Sequence, residues 1–486
     1  MMNAAQNSDT WTINYKLRYA DGSEQTFPIK MNSQTLDIIQ EPKDSYPEWT
    51  RLLCQKCSNC PLDEKTNEYC PIAVKMSPIV DFFCKPQASR DVDVEIETPE
   101  RTYSKNVDVK TAAFSLLGIY MATGSCPIMD KLRPMARFHL PFATAIETTY
   151  RSISNYLIAQ YLLSRQEKKV DWELENLKIM YEAIETVNMH FRKRLQEVSS
   201  QNYALTALLQ LDSFASYISM SLSGDAFFTV ESLFNKEFEK DDLLDPKKKP
   251  EDSGEKITYQ YQFTFSNNEF KEFVLNLDRQ SLRPVSAKKD PPPAWTELKC
   301  NKCPNCLLDE KKFKHCPAAT GVSEAIEFFK EMTSTEEANI LVKTAERDYS
   351  ANLTATAGIS AMMGLIMASS GCPILGKLKP LVRNHLPFAS NKETVYRSLG
   401  MYLLSQYFTA KGGNTPDWEL KDFTKLYEDI NVVNKAFCNR LREPSAEDAN
   451  LNALIKLDCF AQQINLTVSD GNIEDLQNLF KAYFEK

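Results

Sequence analysis

Alternating hydrophobic and polar residues open the chain. They run from Thr12 to Tyr19 and from Gln25 to Met31, on either side of Ala-Asp-Gly-Ser. Alternation flanking an Asp-Gly pair predicts a β-hairpin. The same alternation returns from Thr258 to Phe265 and from Phe270 to Leu277. We therefore expect each half of the chain to begin with two antiparallel strands.

A second predicted strand pair and several predicted helices follow. A second alternating pair, Asp91 to Thr98 and Arg101 to Val107, leads into a small-residue apolar helix at about Ala112 to Ala122. Thr144-x-x-Glu147 and its later equivalent Ser390-x-x-Glu393 are capping boxes, which predict the start of a helix. Further on, residues three or four positions apart predict a helix packed on a neighbour. These residues are Leu177, Tyr181, Ile184, Asn188, Phe191 and Leu195. The predicted fold class is α+β, with a small antiparallel sheet and a cysteine-rich loop followed by a helical bundle.

The chain is a tandem duplication with a constant offset of 246 residues. From Cys126 to Tyr161, 21 of 36 positions are identical to the segment from Cys372 to Tyr407. A repeat of this length can bury its own core, so each copy is a domain rather than a solenoid unit. We assign residues 1–240 to the first repeat, 241–256 to a charged linker and 257–486 to the second repeat.

Composition narrows the class of protein. Among 486 residues, 57 are Lys or Arg and 65 are Asp or Glu, so the net charge is −8. This balance argues against broad binding to nucleic acid or to anionic membranes. The most apolar stretches, residues 112–122 and 357–368, are shorter than the ~18 residues of a membrane span. The N-terminus lacks the features of a secretory signal, so we expect a cytoplasmic protein. In that compartment clustered cysteines bind metal or do chemistry more often than they form disulfides.

The cysteines concentrate in two loops of identical spacing. Residues 54–71 read CQKCSNCPLDEKTNEYCP, and residues 300–317 read CNKCPNCLLDEKKFKHCP. A Cys-x-x-Cys turn presents two sulfurs to one ion, and thiolates bind zinc tetrahedrally. A further Cys-Pro pair follows later in each half. The candidate metal ligands are Cys54, Cys57, Cys60, Cys70 and Cys126, and Cys300, Cys303, Cys306, Cys316 and Cys372.

The spacing favours structural zinc, with a 4Fe-4S cluster as the alternative. Cys70 and Cys126 each precede a proline at a predicted helix start, where the helix field lowers the pKa of a thiol. If Cys54, Cys57 and Cys60 all bound one zinc ion, the two successive two-residue turns between them would both have to wrap around that ion and would be crowded. For zinc we therefore predict that Cys57, Cys60, Cys70 and Cys126 converge, with Cys54 outside. For an iron–sulfur protein of redox or sensor function, Cys54 joins Cys57 and Cys60, and one Cys-Pro cysteine completes the set.

A thiol-dependent enzyme using Cys126 and Cys372 is the third hypothesis. The nearest histidine, His139, lies thirteen residues beyond Cys126, and spacing alone does not establish a thiol–imidazole pair. The chain has no Gly-rich phosphate loop, HExxH or GxSxG motif. We assign no catalytic residue and expect a metal-binding scaffold that binds a protein partner or a small ligand.

A basic segment in each half is a candidate site for a small anionic ligand. The alternative is that its arginines pair with acids such as Glu147, and that its histidine is a satisfied core residue or a metal ligand. The candidate residues are Lys131, Arg133, Arg137 and His139, and Lys377, Lys379, Arg383 and His385.

Several motifs together resemble one family. They are the cysteine knuckle, the Cys-Pro that follows it, the strand ERTYS and the segment SCPIMDKLRPMARFHLPFA. In these the chain resembles an uncharacterised bacterial domain family known only as a domain of unknown function, present here in tandem. The resemblance covers nearly all of both halves, and it implies no activity.

Overall fold

The computed structural model describes most of both repeats. The described residues are 10–85, 87, 89–198, 203–221, 225–235, 254–285, 291–442, 444, 447–469 and 474–484. Most of the predicted linker, residues 241–253, lies outside them. Within these ranges every helix is too short or too polar to cross a lipid bilayer.

The first repeat contains four antiparallel strands. They are β1 (Thr10–Arg18), β2 (Glu24–Asn32), β3 (Asp91–Glu97) and β4 (Thr102–Asp108), in the order β2-β1-β3-β4. Alternation places Ile13, Tyr15 and Leu17 of β1 in the core, where each is fully buried. The predicted first hairpin is present, with Tyr15 opposite Phe27.

The second repeat has the same arrangement. Its strands are β5 (Lys256–Phe265), β6 (Phe270–Asp278), β7 (Glu337–Lys343) and β8 (Asp348–Thr354), in the order β6-β5-β7-β8. Tyr261, the counterpart of Tyr15, lies opposite Phe273 and is fully buried. The predicted pair of antiparallel hairpins per repeat is confirmed.

Helices follow the strands in both repeats. In the first repeat they are α1 (Pro71–Phe83), α2 (Val109–Thr123), α3 (Arg133–Arg137), α4 (Ala145–Ser164), α5 (Glu175–Gln196), α6 (Tyr203–Ser221) and α7 (Asp225–Asn235). In the second they are α8 (Pro317–Phe328), α9 (Ala355–Ser369), α10 (Lys379–Arg383), α11 (Asn391–Lys411), α12 (Lys421–Leu441), α13 (Ala449–Ser469), α14 (Glu474–Leu479) and α15 (Lys481–Phe484). Short 3-10 turns cover Glu48–Thr50, Met129–Leu132, Ala294–Thr296 and Leu375–Leu378. The predicted α+β class is confirmed.

Local signals fix several helix starts. Thr144 and Glu147 form the predicted capping box of α4, and Ser390 and Glu393 form that of α11. The helix predicted from Leu177, Tyr181 and the residues after them begins at Glu175, where the Asp171 carboxylate accepts hydrogen bonds from the first turn, including one of 2.7 Å from the Asn176 N–H. As predicted, α5 packs along α6.

The chain divides into two compact units whose limits differ from those of the repeats. The first unit comprises Met1–Phe228 together with Ile473–Lys486, and the second comprises Thr229–Asn472. The C-terminal segment of each repeat is therefore grouped with the other repeat. In the first unit the Asn155 amide donates to the Tyr483 hydroxyl at 3.2 Å. In the second, the rings of Phe234 and Phe408 lie 5.3 Å apart.

Removal of residues 474–486 should therefore destabilise the first unit, although these residues belong to the second repeat. Hydrogen exchange measured by mass spectrometry should show faster exchange in α4, which loses the contact of Asn155 with Tyr483. Exchange in α11 is the internal control and should stay unchanged. Faster exchange confined to α11 would contradict the division into units.

Candidate metal centre

A buried arginine holds the base of each cysteine loop. Arg194 lies in the last turn of α5 and is 2% exposed. Its Nη1 donates to the carbonyl oxygens of Trp49 and Arg51, both at 2.6 Å. Arg440 does the same in the second repeat, at 2.8 Å from the Trp295 oxygen and 2.7 Å from the Glu297 oxygen. Among the described residues no carboxylate forms an ion pair with either arginine.

Backbone contacts define the loop that carries the cysteines. The Cys70 N–H donates to the Thr50 carbonyl at 2.8 Å, which brings the end of the loop back to its start. Within the knuckle the Cys60 N–H donates to the Cys57 carbonyl at 3.0 Å, the turn expected of Cys-x-x-Cys. Asn59 then anchors this turn to α5, because its amide donates to the Ala183 carbonyl at 3.0 Å.

The second loop repeats these contacts. The backbone N–H of Cys316 donates to the Thr296 carbonyl at 2.8 Å, and that of Cys306 donates to the Cys303 carbonyl at 3.0 Å. The Asn305 amide donates to the Asp429 carbonyl of α12, also at 3.0 Å. Two loops of different composition thus adopt one backbone arrangement.

Backbone N–H groups act on two thiols of the first repeat. Cys70 is the N-cap of α1, with Pro71 in the first turn, and its side chain makes no cap hydrogen bond. Burial raises the pKa of its thiol, while Arg194 and the backbone N–H groups of Ala73 and Ile72 act to lower it. Cys126 is not at the predicted helix start: it precedes a turn, and Ile128 is the N-cap of the short 3-10 segment that follows. Burial raises the pKa of Cys126 to about 11, against the lowering effect of the Met129 and Ile128 N–H groups. Desolvation thus disfavours the thiolate forms of Cys70 and Cys126, while nearby N–H groups, and Arg194 at Cys70, favour them.

Four thiols of the first repeat interact with one another. Burial raises the pKa of Cys57 to about 12, and repulsion from Cys70, Cys126 and Cys60 adds to the rise. Cys70 likewise raises the pKa of Cys126, and Cys60 that of Cys70. Ionising one of these thiols would therefore make it harder to ionise its neighbours, and a cation bound among them would remove that cost.

The second repeat contains the matching group. Burial and then repulsion from Cys316 and Cys306 raise the pKa of Cys303 to about 11. The pKa of Cys372 rises to about 12, chiefly through burial, with contributions from Cys316 and Cys303. As in the first repeat, the arginine opposes this, since Arg440 lowers the pKa of Cys303 and of Cys316.

Cys54 has a different environment. Its sulfur lies 3.1 Å from Glu197 Oε2, and the neighbouring Gln55 amide donates to the other oxygen of the same carboxylate at 2.6 Å. Burial followed by this hydrogen bond raises the pKa of the Cys54 thiol to about 11. The side chain is thus engaged by a carboxylate, which disfavours its thiolate.

In the described residues the cysteines neither form disulfides nor make up a preformed metal-ligand group. All thirteen cysteines are free of disulfides. In the described part of the chain, no group of three or more His, Cys, Asp or Glu side chains is arranged so that it could hold a metal ion. Metal binding would therefore have to draw the four sulfurs together from these positions.

The basic segment does not converge on one site. Arg133 pairs with Asp37 at 2.7 Å and with Asp130 at 3.0 Å. Arg137 lies 3.8 Å from a Glu100 oxygen, with its guanidinium carbon 4.5 Å from the Trp11 ring centroid. Lys131 is half-buried, which lowers the pKa of its ammonium. In the second repeat the Lys379 ammonium donates to the Ser281 carbonyl at 3.1 Å. Lys377 and Arg383 lie half-buried on the equivalent segment.

Both histidines of this segment bond to a buried strand tyrosine. His139 Nε2 lies 2.6 Å from the Tyr15 hydroxyl, and His385 Nε2 lies 2.6 Å from that of Tyr261. Burial, followed by repulsion from Arg397, lowers the pKa of the half-buried His385 from 6.5 to about 3. At neutral pH this imidazole is uncharged.

Sequence reasoning did not identify Arg194 or Arg440 as part of the site. The signal available was an arginine at a core-facing position of an amphipathic helix, present in both repeats. Its partners are backbone carbonyls 142–145 residues away, which no side-chain pattern reports.

Two comparisons with known proteins gave no match, and a third identified a family. The model of a domain of unknown function, DUF6901, matches residues 13–235 and again residues 257–481. Neither the curated proteins nor the solved structures contain a match to the chain.

Substitution of Arg194 by Met should destabilise the first unit by about 3 kcal/mol, because it removes the side-chain donor to the Trp49 carbonyl oxygen and one of two donors to the Arg51 carbonyl oxygen. Urea denaturation monitored by hydrogen exchange in the loop of residues 49–70 would measure this. Lys193→Met, at the exposed neighbouring position, is the matched control. Equal stability of both variants would show that the arginine contacts contribute nothing.

The second unit should lose stability as the pH falls from 6.5 towards 3. In this window the unfolded chain takes up a proton at His385 that the folded chain does not, at a cost of up to about 1.4 kcal/mol per pH unit. Above pH 6.5 the imidazole is neutral in both states, so the effect disappears. The variant His385→Gln should flatten the fall in unfolding free energy, whereas the control His190→Gln should not. An unchanged pH slope in His385→Gln would contradict this assignment.

Proposed function

The chain belongs to this family of unknown function as two tandem copies, and we propose that each copy holds one structural metal ion on four cysteine thiolates. Zinc is the ion that this donor set favours, since four thiolates suit its tetrahedral coordination. The ligands are Cys57, Cys60, Cys70 and Cys126 in the first copy and Cys303, Cys306, Cys316 and Cys372 in the second.

The proposal is supported by the electrostatic coupling of these four thiols, in which ionisation of one would raise the pKa of its neighbours, in the same combination in both repeats. Four half-buried thiols without a cation gain nothing from proximity. With a zinc ion they form a centre of net charge −2, and the nearby guanidinium is a counter-charge already in place. Backbone N–H groups at the start of α1 act on Cys70, and those of Ile128 and Met129, in the turn and 3-10 segment after Cys126, act on Cys126.

A structural role follows from where the ligands lie. The knuckle belongs to the loop before α1, Cys70 caps α1, and Cys126 follows α2. An ion bound to all four would join the loop to two helices, and its binding free energy would stabilise the fold. We further propose a cytoplasmic location, supported by thirteen free thiols, and a protein partner or small ligand as the target of the scaffold.

The thiol environment favours this role over catalysis by Cys126 or Cys372. A nucleophilic cysteine needs a depressed pKa, but burial raises these two pKa values to about 11 and about 12. The imidazole nearest in sequence to Cys126 is bonded to Tyr15. Both thiols are therefore protonated at neutral pH in the metal-free protein.

Replacing Cys57 and Cys60 by serine should halve the metal content, from two ions per chain to one. Anaerobic purification followed by elemental analysis measures this, and also tells zinc from iron. Cys54→Ser is the matched control and should retain two ions, because its sulfur is bonded to Glu197. An unchanged content in the double variant would remove both residues from the ligand set. Iron with absorption near 400 nm, lost in Cys54→Ser, would establish the iron–sulfur alternative.

A further inference from the structure

A half-open groove of about 460 Å³ lies between β2, an edge strand of the first repeat, and α1. Small-molecule sites occupy roughly 300–1,000 Å³, so the groove is of the size that a small ligand needs. Residues 38–40, which pair with the end of β2, and Tyr120 of α2 complete its walls. The apolar part of the lining includes Phe27, Pro28, Ile38, Ile39, Ile79 and Phe82.

This apolar lining is only partly covered. Ile39 is 51% exposed, and the half-buried Phe82 packs edge-on against Phe27, with ring centroids 5.1 Å apart. Covering such side chains removes apolar surface from water, which stabilises a complex. The lining therefore suits a ligand with a hydrocarbon body.

Lysines give the groove an excess of positive charge, in a chain whose net charge is −8. Lys30, Lys75 and Lys85 line it, against one acid, Asp81. Among the described residues none of these four side chains takes part in an ion pair. The lysines are specific to the first repeat, because the matching positions of the second hold Asn276, Gly321 and Glu331.

Lys75 has donors to spare for an anion. Its half-buried ammonium donates to Ser125 Oγ at 3.1 Å, and this is its one hydrogen bond within the described part of the chain. An ammonium carries three N–H donors, so two remain for a ligand. Burial lowers the pKa of Lys75, which shows that water solvates this charge poorly. An anion beside it would compensate for the lost solvation.

Tyr120 supplies a second, neutral donor. The residue is 8% exposed, and its hydroxyl has no hydrogen-bond partner in the regions that the structure describes. A buried tyrosine hydroxyl usually has one. Unlike the fully occluded polar atoms of the core, this oxygen keeps accessible surface, so it is available to a ligand in the groove that Tyr120 lines. Ile366 stands at the matching position of the second repeat, so the shared fold does not need the hydroxyl.

We propose that this groove binds an acyl carboxylate, a small molecule with a hydrocarbon chain and one carboxylate group. The chain covers the apolar lining, Lys75 pairs with the carboxylate, and the Tyr120 hydroxyl donates to it. One cationic and one neutral donor match the two oxygens of a carboxylate. The site is separate from the cysteine ligands and from the basic segment of residues 131–139, and it goes beyond the metal proposal.

Methyl NMR of the full chain with labelled isoleucine tests the site. Decanoate, kept below its micelle concentration, should shift the isoleucine signals of the groove and bind at least about tenfold more tightly than decanol, which has the chain without the charge. Acetate, which has the charge without the chain, should cause no shift. Equal affinities for decanoate and decanol, or no shift with decanoate, would overturn the proposal. The signals report the first repeat alone, because the counterparts of Ile38, Ile39 and Ile79 are Pro284, Val285 and Ala325.

Two substitutions test the polar contacts. Lys75→Met should weaken decanoate binding about tenfold while decanol binding stays the same, and Lys169→Met, at an exposed position outside the groove, is the matched control. Tyr120→Phe, which removes the hydroxyl alone, should weaken decanoate binding roughly 3- to 10-fold. Unchanged decanoate affinity in either groove variant would contradict the contacts proposed for the carboxylate.

Ile39→Glu tests the location, because it places a negative charge in the groove at an exposed position. It should abolish decanoate binding, as followed by the Ile38 and Ile79 signals, whereas Ile179→Glu, at a 60% exposed position of α5, should not. Retained binding in Ile39→Glu would refute the location. Metal content measured on the same samples should stay at the level of the unmodified protein, so failure of this proposal and failure of the metal proposal give different results.

Discussion

An arginine charge buried without a carboxylate is the constraint on which the cysteine loops depend. Removing a guanidinium from water costs several kcal/mol unless hydrogen bonds and opposite charge compensate. Backbone carbonyls at Trp49 and Arg51 supply the hydrogen bonds to Arg194, and in doing so fix the entry of the loop. The arginine charge in turn acts to lower the pKa values of Cys57 and Cys70, and ionised thiols would add opposite charge beside it. The loop and the arginine therefore favour an anionic cluster, which a metal–thiolate centre would provide.

Comparison of the two repeats shows which contacts both cysteine loops share and which occur in the first repeat only. Both repeats keep the four thiols, the buried arginine and the asparagine that anchors the knuckle. Near Cys126, however, the first repeat has Lys75, whose ammonium donates to Ser125 Oγ at 3.1 Å, and Ser125 donates to Asp37 at 3.0 Å. Glycines, Gly321 and Gly371, occupy the places of Lys75 and Ser125 in the second repeat. The ionic network is thus not required for the shared loop geometry.

The sequence was sufficient wherever the cause is local. Alternation predicted the hairpins, and the Thr144 and Ser390 capping boxes predicted where α4 and α11 begin, because each depends on residues a few positions apart. The role of Arg194 was not predictable, since its partners are carbonyls of a distant loop. The grouping of Tyr483 with α4 of the other repeat was equally hidden, because two similar repeats offer the same hydrophobic pattern to either terminal helix. Asn188 was assigned to a helix seam, and only the structure shows that it is buried with no hydrogen-bond partner for its Oδ1 among the described residues.

X-ray absorption at the metal edge of the anaerobically purified protein tests the central claim most directly. The account predicts zinc with four sulfur neighbours at about 2.3 Å and no metal neighbour. It also predicts the same spectrum for both sites, because the two repeats present the same four cysteines. A spectrum with iron neighbours, or with nitrogen or oxygen in place of two or more sulfurs, would contradict the four-thiolate zinc centre.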